Sequence, residues 1–284
     1  MARDLYESDI QAILARRHDS GADLWATPDG KLQKGSPFTT LESAYLLREL
    51  GMEPSEPVLK DTAALIFGAQ REDGRFKTAP GGSIYPCNTA NAARTLGILG
   101  YADDPRLQKT FEHLLAIQHT DGGWRCSKYF FGRGPETEFS NPGPTLTALD
   151  AFRFTPYLNH SLALDRAVEF LLAHWTTRLP LGPCHYGIGT LFMQAAYPFG
   201  GYNLFPYVYV LSFYDRAKGD PRFREAFKAL SGKLKDGKMV VERVVPKLAS
   251  LEFCKKGQPS ELATRRYREI LQNLGEAYTN PKHE

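Results

Sequence analysis

Apolar residues recur every three to four positions in five separated stretches of this chain, the spacing of one face of an α-helix. In one stretch they fall at Leu107, Phe111, Leu114 and Leu115. A copy 48 residues earlier carries Leu59, Ala63, Ile66 and Phe67, and one 101 residues earlier carries Tyr6, Ile10, Ile13 and Leu14. The stretch 57 residues later has Leu164, Val168, Leu171, Leu172 and Trp175, and a fifth runs Phe223, Phe227, Leu230 and Leu234. Asp104-Pro105 and Asp220-Pro221 open two of these helices with an N-cap acceptor and a residue whose missing N–H is harmless at N1.

A Gly-rich connector and a second helix of different character follow each copy. Three second helices begin alike, with PFTT at Pro37, PCNT at Pro86 and PGPT at Pro142, and continue in small residues such as TANAARTLGILG. Gly51 and Gly100 suit the C′ positions that close two of them. The fourth is aromatic (YNLFPYVYVLSFY) and the fifth reads PSELATRRYREILQNLG. The predicted unit is a helical hairpin used five times, over 1–51, 52–100, 101–156, 157–217 and 218–276, with a tail at 277–284.

The fold class expected is all-α, with one domain over 1–284. Stacked hairpins either close into an α/α toroid around a cavity or extend as an open TPR-like or HEAT-like superhelix. Small, apolar second helices suit the crowded inside of a ring, and polar positions within them, Asn91, Arg94 and Asp150, suit a cavity wall. The toroid is the expectation.

The connectors carry a second repeat. QHTDGGW places Gln118, Gly122 and Trp124 at spacings of four and two, and QREDGRF repeats the grammar with Gln70, Gly74 and Phe76. This Q-x-x-x-G-x-W element resembles the mark of the prenyltransferase and squalene-cyclase repeat family. GADLW, with Gly21 and Trp25, and KLKDGKM, with Lys233 and Gly237, are similar but decayed. The resemblance implies an α/α toroid with a funnel-shaped cavity, and an enzyme acting there on an isoprenoid or other apolar substrate by cyclisation or prenyl transfer. The motif itself is read as structural: the Gln amide bonds orphan helix-end carbonyls, the glycine turns and the ring packs.

The family's chemical signatures are incomplete in this chain. The Asp-x-Asp-Asp acid motif and the Asp-Asp-x-x-Asp metal cluster are absent. Where the resembling transferases carry a zinc-binding Asp-x-Cys, YPCNT has Tyr85 and keeps only Cys87. SNPGPTLTALDAF is similar to the stretch that brings a diphosphate-contacting histidine to the cavity mouth, with Asn141 in that position; from the residues alone Asn141 reads first as an N-cap beside Pro142.

Asp150 and Arg94 stand eight residues after the prolines of PGPT and PCNT, and Tyr45 matches them on the first such helix. They are read either as a buried ion pair or as Asp150 the general acid, with Arg94 facing substrate. His185 is the other proton-transfer candidate. Tyr202, Tyr207 and Tyr209, from the segment richest in aromatics, are candidate walls for an apolar ligand or else core. Cys87, Cys126, Cys184 and Cys254 are all read as falling in the long connectors, none in a helix body; with His185, the set Cys87, Cys126 and Cys184 is a candidate zinc site at a shared rim. Cys87 alone, near a helix start, is a candidate reactive thiol.

Composition narrows the classes. Over 284 residues, 42% apolar and 24% charged content fit an ordinary globular protein, and a net charge of +3 without a basic patch argues against nucleic acid. No apolar run reaches membrane-spanning length, and MARDLYESDIQ lacks a signal-peptide apolar block. Scattered cysteines without CxxC pairs point to a reducing cytoplasm. The second function expected is a non-catalytic ligand-binding or scaffold protein that retains the framework, with an apolar ligand or a protein as partner.

Overall fold

A computed structural model describes residues 2–126, 131–155 and 161–276, with side chains from residue 4 onward. Among them, ten α-helices have eight residues or more. In chain order they are α1 (Glu7–Leu14), α2 (Thr40–Glu49), α3 (Pro57–Gly68), α4 (Pro86–Ile98), α5 (Pro105–Ala116), α6 (Pro142–Phe152), α7 (Leu162–Thr177), α8 (Leu204–Leu211), α9 (Pro221–Ser231) and α10 (Glu261–Leu274). The class is all-α; the strands described are two residues each, Leu234–Lys235 and Lys238–Met239. None of these helices is long and apolar enough to cross a membrane.

Local chemistry sets the helix ends. Asp104, Asp220, Ser161 and Ser260 each accept a first-turn backbone N–H, and Pro57, Pro86, Pro105 and Pro221 occupy the first turn. Gly51 and Gly100 take positive φ just past the caps Leu50 and Leu99. The two helix types differ in burial. α5 buries one stripe, Leu107, Thr110, Phe111 and Leu114, whereas α8 buries all eight of its residues. A helix buried all round must be covered on several sides.

The chain divides into two compact units. The first holds the described residues to Gln118 together with Asp150–Thr155; the second holds His119–Leu149 and the described residues beyond 155. In the first, α2 packs on α1, α3 and α4, while α4 packs on α3 and α5. In the second, α9 packs on α7 and α8, and α8 also meets α10. Second helices therefore lie against second helices within each unit, α2 on α4 and α8 on α10.

Candidate functional site

The repeated connector motif has one geometry in both copies. Past α3 the chain makes a tight hairpin, with Arg71 N–H donating to the Arg75 carbonyl and Gly74 N–H to the Arg71 carbonyl, both at 2.8–2.9 Å. Past α5, His119 N–H donates to Gly123 and Gly122 N–H to His119, each at 2.9 Å. The aromatic residue then donates its backbone N–H to a threonine hydroxyl: Phe76 to Thr89 at 3.2 Å, Trp124 to Thr145 at 3.1 Å. Met239 does the same to Thr264 at 2.9 Å, so KLKDGKM is a structural copy despite its missing ring. Thr89, Thr145 and Thr264 are each the fourth residue of their second helix, whereas Thr40 opens α2 and its hydroxyl donates to the Leu24 carbonyl. In PCNT and PGPT the threonine therefore receives the connector.

The glutamine acts differently from expectation. Gln70 Nε2 donates to the Arg106 carbonyl at 2.7 Å and to Thr110 Oγ1 at 2.8 Å, both on α5. It ties one repeat to the first helix of the next, instead of capping its own helix. Gln118, the matching residue, ends the first unit.

Two of the polar second-helix positions, Arg94 and Asp150, meet within the first unit. The Arg94 guanidinium lies over the Tyr45 ring, 5.0 Å from its centroid, and its Nη1 is 3.9 Å from Asp150 Oδ2. Asp150, 5% exposed, takes its main contact from Arg153 Nε. Of the two expectations for this trio the geometry is that of an ion-paired anion; Arg94 Nε is buried with no partner.

In the second unit, Asn141 is fully buried and precedes α6. Its Oδ1 accepts from the Cys184 N–H at 2.9 Å, and its Nδ2 has no partner. The side chain thus braces a connector instead of capping α6. His185 Nε2 donates to Glu136 Oε1 at 3.1 Å. Two backbone amides, of Glu136 and Gly134, and then His185 hold the Glu136 carboxyl below its ordinary range.

The cysteines do not form the expected zinc set: among the described residues, no three His, Cys, Asp or Glu side chains converge as metal ligands. Burial, followed by the neighbouring Cys126 thiol, pushes the Cys184 thiol up, opposite to what a thiolate ligand needs. Cys126 and Cys254 are buried, and Cys87 stands inside the first turn of α4 rather than in a connector.

The tyrosines pack into protein. Tyr207 stacks on Trp175 and its hydroxyl donates to the Leu171 carbonyl at 3.0 Å. Tyr209 donates to Glu269 Oε2 at 2.7 Å, and Tyr202 meets Phe192, Tyr186 and Tyr207 ring to ring. The Tyr202 hydroxyl lies 2.8 Å from Nδ1 of His174, a residue sequence reasoning passed over. His174 Nε2 is 2.9 Å from the Leu179 carbonyl, which can only accept, so Nε2 carries the proton and Nδ1 accepts from Tyr202. Burial depresses the His174 pKa from the ordinary 6.5.

This has a measurable consequence. The folded state prefers neutral His174, so as pH falls below about 6.5 the unfolded chain takes up a proton first and stability declines. His113 is depressed by burial too. Urea midpoints between pH 7.5 and 5.5 should therefore fall more in the native protein than in His174→Asn; parallel lines for the two would contradict the buried neutral imidazole.

No protein-family model matches this chain, and no curated protein matches it either.

Proposed function

We propose that this chain is a non-catalytic binding protein that keeps the helical-hairpin framework of the family its connectors resemble and holds an apolar ligand without transforming it. One observation carries the reading: the groups expected to do chemistry are engaged by protein. Asp150 is paired with Arg153, and the hydroxyls of Tyr207 and Tyr209 with Leu171 and Glu269. A general acid or base needs a free face toward the reacting atoms. The framework that goes with this reading is the α/α toroid with second helices inside, which solution scattering tests: a filled or extended particle argues against it.

A second reading, catalysis on an isoprenoid by a prenyltransferase-like or terpenoid-cyclase-like protein, is favoured by Asn141. Its buried Nδ2 is an unused donor at the position where the resembling enzymes contact diphosphate. The two readings separate in one experiment. Purified protein is incubated with farnesyl diphosphate, geranylgeranyl diphosphate or squalene, with and without added Mg²⁺ and Zn²⁺, and extracts are analysed by mass spectrometry. The binding reading expects no product, and an apolar molecule co-purifying in native mass spectra. Product formation abolished by Asp150→Asn or His185→Gln overturns it.

A further inference from the structure

In the first unit, residues of α3 and its flanking connectors line a groove of about 520 Å³. That volume is in the range of small-molecule sites. Its floor and walls are apolar: Leu32, Ala64, Leu65, Ala69 and Pro80. Two cations, Arg71 and Lys77, complete the lining, and no Asp or Glu contributes to it.

Two observations set this groove apart from ordinary surface relief. Arg75 pairs with Asp73 and Lys31 with Asp29, whereas Arg71 and Lys77 have no side-chain partner among the described residues. Exposed lysines such as Lys34 and Lys60 share that state, but Lys77 is half-buried. The second observation is Gly68, the last residue of α3, which also lines the groove. Glycine is the poorest helix former after proline. Here neither backbone nor packing requires it: its φ is not positive, and a Cβ built on it meets nothing within 4 Å. What a side chain at Gly68 would do is occupy the groove.

We propose that this groove binds a small amphipathic carboxylate, an anionic head on an apolar tail of roughly six to ten carbons. The carboxylate sits between Arg71 and Lys77 as a charge-assisted hydrogen-bonded pair, and the tail covers Leu32, Leu65 and Pro80. This site is separate from the polar second-helix positions discussed above and does not depend on the binding reading. No covalent step is involved.

Titration calorimetry on the full chain with octanoate tests it. A ten-heavy-atom ligand of ordinary efficiency predicts 1:1 binding with Kd about 1 mM or tighter. Octan-1-ol and octylammonium, which keep the tail and lose the negative charge, should bind at least about tenfold more weakly, as should butyrate, which loses the tail. Arg71→Gln combined with Lys77→Gln should weaken octanoate at least about tenfold. Gly68→Phe should abolish binding, while Gly68→Ala, which adds a methyl to open space, folds normally and retains it. A peptide ending in a free leucine carboxylate should bind less tightly than octanoate. Absence of octanoate binding at about 10 mM overturns the proposal. So does binding that survives within about twofold in the double-charge variant or in folded Gly68→Phe, or a peptide that binds more tightly.

Discussion

Replacing Gly122 with alanine is expected to destabilise the protein by about 3 kcal/mol, although it adds a single methyl group to a connector. Two costs combine. Gly122 holds φ +94°, in the left-handed region where an L side chain costs about 1–2 kcal/mol. A Cβ there would also lie 2.5 Å from the Arg166 carbonyl oxygen, which is backbone of α7 and cannot swing aside. Gly74 repeats the arrangement in the first unit, with φ +84° and a Cβ 2.5 Å from the Lys109 carbonyl of α5. Gly74→Ala should therefore match Gly122→Ala. Gly100 provides the control, since it has φ +87° but nothing within 4 Å of its Cβ. Gly100→Ala should cost only the conformational part, about 1 kcal/mol. Urea unfolding of the three variants decides: equal losses at Gly100 and Gly122 would mean that the close approach to the next helix contributes nothing.

The glycine result and the threonine bonds together explain why the connector motif exists. Each of the two full copies hangs on three attachments: a glycine laid on the following first helix, an aromatic residue whose amide bonds the following second helix, and the ring itself in the core. Trp124 is 1% exposed and Phe76 fully buried. In the first copy Gln70 adds a fourth attachment to α5. These bonds join elements 13 to 40 residues apart in sequence. The motif is thus a clamp between successive repeats, and nothing in its geometry asks for chemistry.

Helices were legible because their information is local. Leu107, Phe111 and Leu114 share a face by spacing alone, and Asp-Pro caps mark where to start counting. Phe227 shows the limit: it keeps the period yet is only half-buried, stacking on Tyr267 of the partner helix. Arg106 for Gln70, Cys184 for Asn141 and Tyr202 for His174 lie 28 to 43 residues away, across connectors of unequal length, so these contacts could not be counted out from spacing. His174 did carry a signal, since it follows Leu171 by three and shares the buried side of α7 with Trp175. Connector position alone did not bring the cysteines together: among the described residues they form no ligand cluster. Cys126 and Cys254 are buried, and a thiol with its charge disfavoured is a small apolar residue. Tyr45, Arg94 and Asp150 were the converse case: equal offsets from three prolines brought them into register across α2, α4 and α6.

Asp150→Ala is expected to cost about 3–5 kcal/mol, the loss typical of removing one partner from a buried ion pair. The carboxylate stands between two guanidiniums whose side chains are 10% and 13% exposed, on Arg153 and Arg94 respectively. Without it both cations stay buried, and Arg94, whose Nε already lacks a partner, loses its nearby anion. The surroundings allow little relief. Arg153 also lies over the Phe154 ring at 4.1 Å, and that ring occupies the space where Gly97 of α4 has no Cβ, so the segment after α6 cannot shift outward without giving up this contact. Combining Asp150→Ala with Arg153→Met should recover part of the loss, because the second change removes a stranded charge while keeping an apolar stem. The coupling in this double-mutant cycle, measured by urea unfolding, reports the pair directly. A proton donor would behave in the opposite way: Asp150→Asn would keep full stability and abolish turnover. A loss under about 1 kcal/mol in Asp150→Ala, the range of a surface pair, would show that the carboxylate is not held in this way and would return it to the list of reactive groups.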